Sequence, residues 1–328
     1  MKSKERVYRA LEFNNPDRVP LYVLHVPNGD LMEFLKIILK YKSDIGMAAF
    51  RLGYENLGEN KRKDAWGAIW RYEGQNKGEV VVSPLKEWSE LDTLTAPNYF
   101  NRKSLFVVKL AKKLYSKKFM IGGLPDMIFS RMHYLRGFVP FMEDLYFEQD
   151  NLKRLASIIT TNNIQLIKKY AELGYDAVMG ADDFGLQERL MISPDMWREF
   201  IKPYYKIMVD EAKKLNLKFI LHSCGYIMEI IEDLIEIGVD ALQLDQQDNM
   251  GIDVLQERFG GRIAFFSPID IQSTLSTNDE AKIRAKGKEL ITKLGKGGGF
   301  IGKTYPTPKP IGVSEKSVRI MLESFLDK

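Results

Sequence analysis

The sequence predicts an α/β fold: a (β/α)8 TIM-type barrel with an N-terminal helix and an inserted cap region, forming one domain over residues 1–328. Three observations predict it. Short apolar runs recur along the second half of the chain, separated by helix-patterned stretches, which argues for a parallel sheet. Two units repeat the same junction: Gly174-Tyr175-Asp176-Ala177 and Gly238-Val239-Asp240-Ala241 each set a helix-ending glycine just before a buried strand. The strand-like runs number about eight, as a closed barrel needs. No GxGxxG follows the first of them, which removes the main cue for an open dinucleotide-binding sheet.

Each element has a local reason. Ser3 can cap a first helix on which Val7, Ala10 and Leu11 recur at helical spacing, and Pro16 discourages its continuation. Residues 18–24 read as a first buried strand. Residues 27–98 read as an irregular insertion or cap, with a helical stretch at 30–39 and one strand of a hairpin at 79–82. From Arg102 the alternation is regular. A basic amphipathic helix at 105–115 leads into the run 119–123, and a helix at 152–173 ends at Gly174. Strands follow at 176–181, 218–222, 240–244, 262–266 and 299–302. Between Cys224 and Gly238, the positions Ile227, Ile230, Ile231, Leu234 and Ile235 form a helical packing stripe.

Composition bounds the function. The 328 residues carry 48 Lys+Arg against 44 Asp+Glu, a net charge of +4 that is too mild to call for nucleic acid or an anionic membrane surface. No apolar run has the length of a membrane span, and the charged N-terminus lacks the apolar core of a signal peptide. The single cysteine, Cys224, excludes an internal disulfide framework and any multi-thiol zinc site built from this chain, so a reducing, cytoplasmic setting is expected.

In a parallel barrel the site lies where strands end. Polar residues stand at those ends: His25, Asp182-Asp183, His222-Ser223-Cys224, Asp245-Gln246, Ser267 with Asp270, and Lys303 to Tyr305. His222 and Cys224 are two apart, so both side chains project to one face, as two ligands of one ion must. The competing reading is a buried thiol packed beside a hydrogen-bonded histidine. A neighbouring strand lies about 4.8 Å away, which lets one of Asp182 and Asp183 reach the same ion while the other faces outward or caps a loop; the competing reading is that both acids serve helix capping. His133 reads as structural or surface. Trp66 and Trp70, in the insertion, read as aromatic packing or as part of a substrate lid.

These residues resemble a known family. Arg6-Val7, Ala10-Leu11 and Pro16-Asp17-Arg18-Val19-Pro20, then Asp182-Asp183-Phe184-Gly185, Ile192-Ser193-Pro194 and His222-Ser223-Cys224-Gly225, resemble the uroporphyrinogen decarboxylase-like superfamily. Phe259-Gly260, Ile269-Asp270-Ile271-Gln272 and Gly298-Gly299-Phe300-Ile301 extend the likeness across nearly the whole chain. Its decarboxylase branch carries an Arg-Gln-Ala-Gly-Arg segment after the first strand; here Leu24-His25-Val26-Pro27-Asn28-Gly29 stands there. The branch of zinc methyltransferases that work with corrinoid proteins has His-x-Cys and a second, distant Cys. His222 and Cys224 match the first half, and Lys303, Thr304, Tyr305 and Thr307 stand near the place of the second.

The resemblance implies a zinc-dependent, corrinoid-linked methyltransferase acting on a small methyl donor or acceptor, with the methylcorrinoid carried by a separate partner protein. A single thiolate leaves zinc more electrophilic, which suits a methoxylated substrate and O-demethylation. On this reading His222 and Cys224 hold zinc, Asp183 (or Asp182) is the third ligand, and Gln246 orients substrate. The alternatives are a porphyrinogen-type decarboxylase and a metal-free binding partner of a corrinoid protein.

Overall fold

The strands after Phe119 are apolar on both faces, as a sheet with a packed interior and a coat of helices requires. The computed structural model describes residues 1–24, 31–72 and 78–327. In chain order the strands are β1 (Leu21–Tyr22), β2 (Ile45–Ala49), β3 (Glu55–Gly58), β4 (Lys61–Lys63), β5 (Ile69–Arg71), β6 (Glu79–Val82), β7 (Phe119–Leu124), β8 (Ala177–Ala181), β9 (Lys218–His222), β10 (Ala241–Gln243), β11 (Ala264–Ser267) and β12 (Phe300–Lys303). Eight of them form one parallel sheet in the order β1-β12-β11-β10-β9-β8-β7-β2, and β3 to β6 form a separate antiparallel sheet. The helices are α1 (Ser3–Leu11), α2 (Leu31–Lys40), α3 (Arg102–Leu114), α4 (Ile128–Arg136), α5 (Phe138–Phe147), α6 (Gln149–Glu172), α7 (Pro194–Phe200), α8 (Lys202–Lys214), α9 (Ile231–Ile237), α10 (Ile252–Phe259), α11 (Glu280–Leu294) and α12 (Glu315–Ser324).

Two cores result. The barrel interior holds Tyr22, Ile45, Ile121, Ile220, Phe266 and Ile301. Val7, Ala10 and Leu11 of α1 join it and plug the end where strands begin, so the ends where strands finish are left as the mouth. The larger core lies between the sheet and the surrounding helices.

The predicted cap over residues 27–98 is corrected by this arrangement. Ile45–Ala49 is a barrel strand paired in parallel register with β7 along its whole length, from Ile45 opposite Phe119 to Ala49 opposite Gly123. The added structure is the antiparallel sheet β3 to β6. The Ile-Gly-Met-Ala-Ala run is too weakly apolar to declare itself, because its buried partners come from other elements. The first strand is also shorter than residues 18–24, since Pro20 has no N–H to give a ladder.

β1 and β2 close the circle without a regular ladder. The Asp44 N–H donates to the Leu21 carbonyl at 2.7 Å, and the Ser43 hydroxyl accepts from the Val23 N–H at 3.3 Å. The buried Asp44 carboxylate accepts from Leu21 N at 3.0 Å, Arg6 Nη1 at 2.7 Å and Arg18 Nη1 at 2.8 Å. The added sheet is pinned to the barrel by buried Arg131 of α4, which pairs with Asp64 at 2.7 Å and with Asp126. Trp66 Nε1 donates to Asp126 at 2.8 Å and Trp70 Nε1 to Asp64 at 3.0 Å. The two tryptophans of the insertion therefore do structural work, and Trp66 also walls a cavity at the mouth.

Asp44→Ala removes the acceptor of four charge-assisted bonds at the seam, two of them from Arg18. It leaves Arg6 with Asp17 and the Met1 carbonyl, and should cost about 3 kcal/mol, the low end for a broken buried pair. The check is the urea midpoint of the variant against the parent.

Candidate metal centre at the barrel mouth

Strand register builds the site. Ala181 of β8 lies opposite His222 of β9, and His222 lies opposite Gln243 of β10. Two residues past Ala181, on the same face, stands Asp183; two past His222 stands Cys224. The turns after the strands are tied together: Asp182 N donates to the His222 carbonyl at 2.9 Å, and Gly185 N to the Cys224 carbonyl at 3.2 Å. Here two backbones touch. A Cβ on Gly225, whose φ is +75°, would sit 2.3 Å from the Gly185 carbonyl oxygen, and one on Gly185 would sit 2.4 Å from Tyr226 N. Only glycine at both positions lets the Asp183 turn press against Cys224.

Asp183, His222 and Cys224 bring their ligand atoms within 4.8 Å of one another. The Cys224 Sγ to His222 Nε2 distance is 3.4 Å, and His222 Nε2 to Asp183 Oδ1 is 3.5 Å. A tetrahedral zinc with Zn–S of about 2.3 Å and Zn–N of about 2.0 Å has ligand–ligand edges of roughly 3.3–3.6 Å. The donor set and its spacing fit that ion. His222 Nδ1 lies 3.1 Å from the Gln243 carbonyl, so the ring donates there and turns its Nε2 lone pair toward Cys224 and Asp183. Asp183 Oδ1 also accepts from Cys224 N at 2.9 Å, which holds the carboxylate on that side. Burial, reinforced by the charges of Asp183 and Asp245, pushes the Cys224 thiol well up from its ordinary pKa. A divalent cation reverses that balance, because coordination removes the thiol proton.

The other acid of the pair plays a different part. Asp182 is fully buried and accepts from Phe129 N, Ser130 N and Ser130 Oγ, at 2.9, 2.7 and 2.6 Å, and from the Tyr205 hydroxyl at 2.9 Å. It caps the first turn of α4. Burial raises its pKa to about 6 against the opposing pull of those donors.

Gln246 stands on the wall of a cavity of about 630 Å³ that Asp183 and Cys224 also line. Its Oε1 accepts from Gly225 N at 2.8 Å, so it steadies the turn that carries Cys224. His133 packs among Phe129, Phe138 and Phe141. Asp270 accepts from Gln272 N and Ser273 N at 2.8 Å each and serves its own turn. Thr304 Oγ1 donates to the Leu24 carbonyl at 2.6 Å. His25 lies outside the described residues.

Sequence reasoning missed one group. Gln243 Nε2 and Lys303 Nζ both donate to the buried Asp245 carboxylate, at 2.7 and 3.0 Å. Asp245 and Lys303 were legible as strand-end residues, but their pairing joins β10 to β12 across β11 and follows only from closure of the sheet. Tyr305, just past β12, has its pKa raised by burial and by the charges of Asp245, Cys224 and Asp183.

Comparison with known proteins now places the chain. Residues 64–304 match the uroporphyrinogen decarboxylase (URO-D) family. The chain belongs to that family. Within it, the similar curated proteins are methyltransferases, as the resemblance in the motifs implied. The methylcobamide:CoM methyltransferase MtbA of Methanosarcina mazei is 24% identical over 265 residues, covering 74% of this chain and 76% of that protein. MtbA of Methanosarcina acetivorans is 24% identical over 264 residues, with the same coverage. A solved methyltransferase from Methanosarcina mazei superposes with a TM-score of 0.75 at 18% identity, over 99% of this chain and 98% of that one, and shares the fold. No helix among the described residues is long and apolar enough to cross a membrane.

The pKa of Asp182 yields a signed prediction. The native carboxyl keeps its proton to about pH 6, whereas the unfolded one loses it near 3.8. Between those values the native state binds more protons, so this group's contribution to stability falls as pH rises. Asp182→Asn has no such titration. The stability of the parent minus that of the variant should therefore shrink from pH 4 to pH 6, read from denaturant unfolding at each pH.

Proposed function

We propose that this protein is a corrinoid-dependent methyltransferase that moves a methyl group between a small substrate and a corrinoid held by a separate protein, with His222, Cys224 and Asp183 holding one zinc ion. The observation that carries the reading is the convergence of those three side chains within 4.8 Å, with His222 Nε2 at tetrahedral edge distances of 3.4 Å from Cys224 Sγ and 3.5 Å from Asp183 Oδ1. The family membership and the methylcobamide:CoM methyltransferase relatives support it. Bound there, zinc supplies Lewis-acid polarisation of the atom that carries or receives the methyl group.

The chain's own residues set the conditions. The Gln243 carbonyl fixes the imidazole, and Cys224 N fixes the carboxylate. The ligand set has one thiolate and one carboxylate, which leaves more positive charge on the ion than two thiolates would. That favours a hard oxygen donor, such as a methoxylated substrate undergoing O-demethylation. Gln246 holds the turn after Cys224 in place and faces the cavity through which a partner would approach.

Metal analysis tests the site directly. The wild-type protein should hold about one zinc per chain, and His222→Ala and Cys224→Ala should lose it. Methyl transfer from methoxylated aromatics to reduced cobalamin should fall by about 100-fold or more in both, as expected for several kcal/mol of lost charge stabilisation. Full zinc in both variants, or a metal-free wild-type protein, would sink the reading.

A further inference from the structure

We infer that the cavity between the barrel mouth and the added sheet is the substrate pocket, and that Arg51 is its anion-binding group, so the substrate pairs an apolar, ring-sized body with a carboxylate or sulfonate. This rests on the methyltransferase reading for its chemistry, but on separate residues for its geometry.

The cavity encloses about 480 Å³, within the range of small-ligand sites. Met47, Ala49, Trp66, Tyr99 and Met179 give it apolar and aromatic walls. Its position follows from strand alternation. Ile45 lies in the interior core and Met47 packs against it, so Ala49 and then Arg51 continue the same row toward the mouth. On the far wall the row Met179, Ala181 leads to Asp183, and Ala181 is the register partner of His222. The row thus runs from the cavity wall to Asp183, one of the three proposed zinc ligands.

Polar groups in the wall divide in two. Arg131 and Asp126 are buried, Asp64 is half-buried, and Arg131 pairs with both acids, with further donors from Trp66, Trp70 and Tyr99. The cluster keeps one surplus negative charge, but each of its carboxylates is already ion-paired with Arg131. Arg51 is different. It is exposed, its backbone N–H bonds to Ser104, and among the described residues its guanidinium has no carboxylate partner. A guanidinium with no carboxylate partner of its own, beside the apolar part of the wall, favours a carboxylate or sulfonate as its counterpart. Only β7 separates β2 from β8, so the Arg51 and Asp183 rows stand two strand spacings apart, about 10 Å along the wall. The anion and the methyl-bearing atom then occupy opposite ends of the ligand.

Calorimetric titration of zinc-loaded wild-type, Arg51→Ala and Arg51→Lys proteins tests this with four probes: 3-methoxybenzoate, its neutral counterpart methoxybenzene, 2-mercaptoethanesulfonate and tetramethylammonium. The carboxylate probe should bind wild type and weaken by about 10- to 100-fold in Arg51→Ala, the range of a charge-assisted hydrogen bond. Arg51→Lys should recover part of that loss, and methoxybenzene should bind both proteins equally. A larger Arg51 dependence for the sulfonate, which carries no ring, would overturn the ring-sized body of the proposed substrate. Equal affinity of both anions for wild type and Arg51→Ala, no binding of either by wild type, or preference for tetramethylammonium would overturn the inference. Zinc content separates the two readings: Arg51→Ala should keep its metal, and a wild type that lacks zinc yet shows Arg51-dependent binding would overturn the proposed reaction and leave the subsite standing.

Discussion

One carboxylate holds the barrel shut. Asp44 sits where β1 and β2 meet without a full ladder, and it takes hydrogen bonds from Leu21 N, Arg6 and Arg18. Arg6 belongs to α1, which plugs the interior, so the same ionic centre ties the plug to the seam. An open sheet would splay its strand ends. A closed one turns them toward a common mouth, and every functional feature described above lies there.

Closure alone does not make a site; register does. The pairing of Ala181 with His222 decides that Asp183 and Cys224 emerge side by side. A slip of one residue would turn one of them outward. The Gly185–Gly225 contact then brings the two turns to a separation that no side chain would tolerate. The ligand geometry is thus produced by backbone packing, and the imidazole is aimed by a main-chain carbonyl of the next strand. Such support is stiff, because it leaves no long side chain to reorient.

The mouth carries two cavities on either side of these residues. One, of about 630 Å³, is bordered by the turn after Asp183 and by Gln246. The other, of about 480 Å³, lies under the added sheet. The added sheet covers the second cavity, held down by Arg131 with its two carboxylates.

The sequence by itself determined the barrel class, the ends of its central strands and the HxC pair, because those rest on local signals: apolar runs, helix-ending glycines and two-residue alternation. Lys218–His222 was legible to the residue. It also narrowed the acid beside His222 to Asp182 or Asp183. Only the tertiary structure separated them, since it shows which acid meets the first turn of α4 and which meets His222. The same holds for β2, whose small, weakly apolar residues become a strand only when β7 pairs with them. The Asp245–Lys303 pair and the place of Arg51 depend likewise on partners far away along the chain. Local pattern reports what a residue prefers; contacts across the closed sheet determine what it faces.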